Sequence, residues 1–161
     1  MSNYILFNYK DTPEDFYERL KINVELNERL GTQIFSFPMK YIPITNRDRK
    51  HFGEHWNPRY LRGIQCILNA THGVVSPRRE FFEAAFGKNV KEFKRLLLMP
   101  DQYIIYRDKH KNNGAARWKE RYNALTRKQK DEFHNIVYAN KFDNDTCSQA
   151  PKVISLLRHY R

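Results

Sequence analysis

The sequence predicts an α/β chain in which a strand, helix, strand crossover is continued by a mainly helical region. Two short apolar runs, Tyr4-Ile5-Leu6-Phe7 with Tyr9 and Gln33-Ile34-Phe35-Ser36-Phe37, flank a strongly signalled helix. Short connections between them favour a parallel pair, which needs a right-handed crossover of this kind. Past residue 55, cap signals recur ahead of apolar residues at helical spacing. Aromatic side chains make up 14% of the 161 residues, a load that argues against disorder and for one ordinary core. The expected organisation is a strand-helix-strand unit with its connecting loop over 1–54 and a basic, mainly helical unit over 55–161.

The first run, Asn3 to Tyr9, is nearly continuous in apolar and aromatic residues and suits a parallel strand buried on both faces. Thr12-Pro13-Glu14-Asp15 opens the helix: Thr12 can cap it, Pro13 needs no intrahelical partner at the first position, and Asp15 completes a capping box. Phe16, Leu20, Val24 and Leu30 supply its apolar stripe, and Gly31 can end it in the left-handed conformation. The second strand is expected to close at Pro38. Two strands alone make no stable sheet, so the unit reads as a piece of a larger α/β layer. Residues 39–55 form a long connection with a basic cluster at Arg47, Arg49, Lys50 and His51.

Asn57-Pro58 starts a helix through Leu61, Ile64, Ile67 and Leu68 that ends near Gly73, and Ser76-Pro77 gives the same signal ahead of Phe81, Phe82, Ala85 and Phe86. Asn89 with Glu92 caps a further helix through Phe93, Leu96 and Leu97. Pro100 stops that run, and Tyr103-Ile104-Ile105-Tyr106 reads as a brief extended stretch. A polar loop from Asp108 to Gly114 follows. Helices are then expected from Ala115 to Leu125, from the Thr126 and Gln129 capping box through Phe133, Ile136 and Val137, and from Pro151 to Tyr160, with a break over 140–149.

Lysine and arginine total 29 against 18 acidic residues, a formal charge of +11, which favours anionic partners. The excess is uneven: residues 1–50 hold 8 basic and 7 acidic side chains, and residues 51–161 hold 21 and 11. Cys66 and Cys147 are too few for a disulfide framework or a four-ligand metal site. No run approaches the ~20 apolar residues of a membrane span, and no secretory signal opens the chain, so a cytoplasmic protein is expected. His51 and His55 are separated by Gly53 and have no third ligand nearby, so no metal site is expected. No phosphate loop, nucleophile elbow or paired-carboxylate signature is present.

Ligands of parallel α/β layers bind at the C-terminal ends of strands. That places Asn8 and Asp11 after the first strand, and Met39, Lys40 and Tyr41 after the second, around the mouth of a site. Asn8 and Asp11 equally suit the turn and the helix start. A second set is basic: Arg59 and Arg62 share a helix face, and Arg78 and Arg79 lie in a helix's first turn, where positive charge wants an anion or an acidic partner. Arg107, Lys109, His110 and Lys111, then Arg117, Lys119 and Arg121 interleaved with Trp118 and Tyr122, combine phosphate-pairing charge with stacking surfaces of the kind single-stranded RNA or DNA uses. Against that, Trp118 and Tyr122 can pack inward while the charges face water.

The stretches Tyr-Ile-Leu-Phe-Asn-Tyr-Lys-Asp-Thr-Pro-Glu-Asp-Phe-Tyr-Glu-Arg-Leu at 4–20 and Phe-Ser-Phe-Pro-Met-Lys-Tyr-Ile-Pro-Ile at 35–44 resemble the last strand, helix, strand portion of the partial TIM-like barrel in radical S-adenosylmethionine (radical SAM) enzymes. The likeness continues into the helical extension as far as residue 107. The family's defining loop, Cys-x-x-x-Cys-x-x-Cys, is not in the sequence, and its thiolates are what bind the four-iron cluster. The resemblance therefore implies no iron-sulfur cluster on this chain, and S-adenosylmethionine only together with an N-terminal partner chain that carries the cluster. It also implies Asn8 and Asp11 as contacts to the adenosyl part, and Met39 and Tyr41 as pocket lining. Either the chain is a split or truncated enzyme half, which predicts an open sheet edge at Asn3 to Tyr9, or it is an independent binding module. The alternatives to the enzyme reading are a small basic nucleic-acid-binding protein and a purely structural partner.

Overall fold

A computed structural model describes residues 1–45, 50–105, 114–140, 142 and 150–160. Among them the order is β1 (Ser2–Phe7), α1 (Pro13–Leu30), β2 (Phe35–Lys40), α2 (Pro58–Ala70), α3 (Arg79–Phe86), α4 (Val90–Leu98), α5 (Asp101–Ile105), α6 (Ala115–Asn123), α7 (Arg127–Ala139) and α8 (Pro151–Leu157), followed by a 3-10 turn at Arg158–Tyr160. The chain is thus α/β and mainly helical, with one two-stranded parallel sheet.

The α1 signals act as the sequence dictates. Thr12 Oγ1 accepts from the Asp15 N–H, the Asp15 carboxylate accepts from the Thr12 N–H at 2.8 Å, and Gly31 ends the helix at φ 62°. Phe16, Tyr17, Leu20 and Val24 are buried, and Phe16 lies 5.1 Å from Phe7 between ring centres. Asn23 donates to Ser36 Oγ at 2.9 Å, so α1 covers the sheet face that carries Ile5, Phe7 and Ser36.

Register decides what the other face shows. Ser2, Tyr4 and Leu6 pair with Phe35, Phe37 and Met39, and paired residues share a face. Tyr4 is 73% exposed and Leu6 54%, while Phe35 and Met39 are also exposed. The expectation of a strand buried on both faces is therefore corrected: only the α1 side is covered. The N–H groups of Phe35 and Tyr41 bond to the carbonyls of Met1 and Phe7, so Ser2, Tyr4 and Leu6 direct their backbone groups to the opposite edge of β1. No strand pairs there among the described residues, and Arg19 caps the Leu6 carbonyl at 2.7 Å.

The same alternation explains why Pro38 lies inside β2 rather than closing it. Its position faces the outer edge of β2, where no N–H is required for the pair with β1. Ser36, also facing outward, exchanges bonds with Val75 across an isolated antiparallel bridge.

The helical region packs on α1 and on itself. Tyr17 donates to the Gly87 carbonyl at 3.0 Å, and Lys94 pairs with Glu14 at 2.5 Å. The cap predicted at Asn89 and the capping box at Thr126 and Gln129 are present. Buried side chains form one cluster from Ile5 through Phe93 and Trp118 to Leu156, so residues 1–54 and 55–161 share a core.

Two local expectations are corrected. Tyr103-Ile104-Ile105 is helical, because a short apolar run does not separate strand from buried helix and no strand lies beside it, whereas α2 does. The third helix starts at Arg79, not at Ser76-Pro77: Val75 is held extended by Ser36, and Ser76 Oγ accepts from the Arg78 N–H within a turn. The basic residues Arg47 and Arg49, the segment Tyr106 to Asn113 with its Arg107, Lys109, His110 and Lys111, and Cys147 with most of the 140–149 break lie outside the described residues.

Candidate functional site

At the C-terminal ends of the strands, Asn8 is fully buried and left-handed at φ 71°. Its amide donates to the carbonyls of Tyr41 and His51, both at 3.0 Å, and its oxygen accepts from the Gly53 N–H at 2.8 Å. Both amide hydrogens and the oxygen are thus engaged within the chain. Gly53 is required there, since a Cβ would stand 2.3 Å from the Tyr9 carbonyl oxygen. Asp11 is similarly engaged: its carboxylate accepts from the Tyr9 N–H at 2.9 Å and from Arg19 at 2.5 Å. The Trp56 indole N–H donates to the Asp11 carbonyl at 2.8 Å, and its ring packs on Phe7 and Phe16. Asn8 therefore fastens the loop to the strand ends with its whole amide engaged, and Asp11 ties the turn after β1 to Arg19 and Trp56. Met39 is 47% exposed, and Tyr41 is half-buried with its ring 4.7 Å from Tyr9, so these two remain open at the mouth.

The basic candidates divide sharply. Arg59 is 2% exposed and serves as an internal clasp. It donates to the carbonyls of Leu97 at 3.1 Å and Met99 at 2.9 Å, pairs with Asp101 at 2.8 Å, and lies 5.5 Å from the centre of the Tyr160 ring. Arg62, more open, pairs with the other Asp101 oxygen at 2.7 Å. Arg79 makes a two-pronged pair with Glu28 at 2.8 and 2.6 Å, so the acidic partner that its helix-start position calls for comes from α1. Arg78 is exposed.

On α6, Arg117 and Arg121 are exposed one turn apart, and Arg121 reaches Ser155 Oγ at 3.4 Å. Lys119 is half-buried. Trp118 is 1% exposed, stacked 5.2 Å from Tyr122 and against Phe133. Its expected role as a nucleic-acid stacking surface is corrected: it is core, and the aromatic spacing on α6 serves packing.

Sequence reasoning missed Asp101, the carboxylate on which Arg59 and Arg62 converge. It lies 42 and 39 residues from them, so no local spacing could reveal it. Burial pushes the Asp101 carboxyl up, but hydrogen bonds and charge from Arg62 and Arg59 outweigh it and hold the group below its ordinary value of 3.8. Burial lowers His159, whose Nδ1 lies 3.2 Å from the Tyr103 hydroxyl. Cys66 is buried in α2, and burial pushes its thiol up to about 11, which makes it a poor thiolate donor. No group of three or more His, Cys, Asp and Glu residues converges among the described residues, and no helix there is long and apolar enough to cross a membrane.

Comparison with known proteins finds no matching family model, no similar curated protein and no similar solved structure.

The Asp101 clasp makes a pH prediction. Because the folded value is depressed, its stabilisation is present above the ordinary carboxylate range and is lost as pH falls through the folded value. Asp101→Asn is expected to be less stable at neutral pH and to lose less stability on acidification below about pH 4 than the parent chain. Urea midpoints measured across that range check it, and parallel curves for the two proteins would refute the clasp.

Proposed function

We propose that this chain is the C-terminal segment of a radical SAM enzyme, closing one side of a partial TIM-like barrel and supplying wall to its cavity without itself holding the cluster. The observation that carries the reading is the half-covered parallel sheet, with an edge of β1 that no described strand pairs and an exposed apolar face of Tyr4, Leu6 and Met39 opposite α1. A barrel needs such a face for its interior and such an edge for the preceding strand. Met39 and Tyr41 would line the mouth, while Asn8 and Asp11 shape it.

The residues present do not fit the cluster. Cys66 is enclosed in α2 with a raised thiol pKa, and the three-thiolate loop has no counterpart in the sequence. Cluster chemistry would come from an N-terminal partner chain, and no catalytic step is assigned to this one. Reconstitution with iron and sulfide should leave this chain without the cluster's visible absorption. Added to a chain that carries the cysteine loop and the preceding strands, it should join a stable complex on size exclusion. A cluster on the isolated chain, or no complex with such a partner, would overturn the proposal.

The second reading, a basic nucleic-acid-binding protein, is favoured by Arg117 and Arg121, exposed on one side of α6 with no ion pair among the described residues. Under it, changing Arg117, Lys119 and Arg121 to Ala together weakens RNA or DNA binding and flattens its salt dependence. Unchanged affinity in a salt-series titration would reject that surface.

A further inference from the structure

A cavity of about 420 Å³ opens between α2, α5 and the C-terminal turn, lined among others by Arg59, Arg62, Asp101, Asn140, Arg158 and His159. Three arginines and one carboxylate are among its described lining residues, and that carboxylate is shared by Arg59 and Arg62. Asn140 gives its oxygen to Arg59 at 3.4 Å, which leaves its amide N–H groups as donors. The Tyr103 hydroxyl and Nδ1 of His159 stand 3.2 Å apart at the cavity's edge, a hydrogen bond whose direction depends on the imidazole tautomer. The wall offers several donors, and Asp101, the charged acceptor among its described residues, is already shared between two cations.

From this geometry we infer an anion site whose ligand is a phosphate dianion, free or as a small phosphate monoester. Among the described lining residues two positive charges remain after Asp101 is counted, and arginine forks match the spacing of phosphate oxygens. Arg59, held rigidly by the Leu97 and Met99 carbonyls, fixes the floor. Arg62 and the exposed Arg158 close on the ligand from the rim. The site is separate from the sheet face and does not depend on the barrel reading.

The test is calorimetric titration at constant ionic strength with two probes, inorganic phosphate and methyl phosphate, against sodium chloride. At least one probe should bind saturably, and Arg158→Gln should weaken it about tenfold or more, while Arg29→Gln, at an exposed position of α1, leaves it unchanged. Arg62→Gln gives the same loss from the other rim residue. Binding of methyl phosphate alone identifies an ester ligand, and binding of inorganic phosphate alone a free ion; either supports the site. Equal binding by the parent chain and Arg158→Gln, or no heat beyond the chloride control, would overturn it.

Discussion

A parallel sheet of two strands cannot stand by itself, and this one persists because a single face is pressed onto α1 while its strand ends are clamped from one side. The clamp is the buried Asn8 amide, which joins β1 to the Tyr41 carbonyl after β2 and to the His51 and Gly53 backbone of the following loop. Loss of that amide would leave two buried carbonyls and an N–H without partners, a cost of several kcal/mol in order of magnitude, about 1 to 3 for each group. The helical region meets α1 through α3 and α4, and on the other face of the sheet Tyr4, Leu6 and Met39 stay exposed among the described residues.

The barrel proposal rests on that asymmetry. A chain optimised as a lone globule would cover Tyr4, Leu6, Phe35 and Met39 or make them polar. Here the covered face carries Ile5 and the aromatic packing of Phe7, and on the opposite face Tyr4, Leu6 and Met39 are exposed among the described residues. The positive charge follows a different logic. Arg79 is spent on its pair with Glu28, and Arg59 and Arg62 share the one carboxylate of Asp101, so the formal excess of +11 is partly offset within the fold at those positions.

Elements governed by neighbours in sequence were legible from the residues. Thr12 with Asp15 and Thr126 with Gln129 fix helix starts through contacts three residues apart, and the parallel pairing follows from the spacing of two apolar runs. What depended on distant partners was not legible. Asn8 finds its partners 33, 43 and 45 residues away, which turns a candidate ligand contact into a loop fastener. Trp118 looks like a stacking platform until Phe133 and Tyr122 enclose it. Pro38 reads as a strand end because sequence alone does not say which edge its missing N–H faces. Tyr103 and Ile104 read as extended because the α2 surface that makes them helical lies far back in the chain.

If the outer edge of β1, which no described strand pairs, receives a neighbouring strand as proposed, residue-resolved amide hydrogen exchange will show it. In the isolated chain, Ile5 and Phe7, whose N–H groups point to β2, should exchange slowly, while Tyr4 and Leu6 exchange fast; addition of a chain bearing the preceding barrel strands should slow Tyr4 and Leu6. Tyr4 and Leu6 amides as protected in isolation as those of Ile5 and Phe7 would contradict the account.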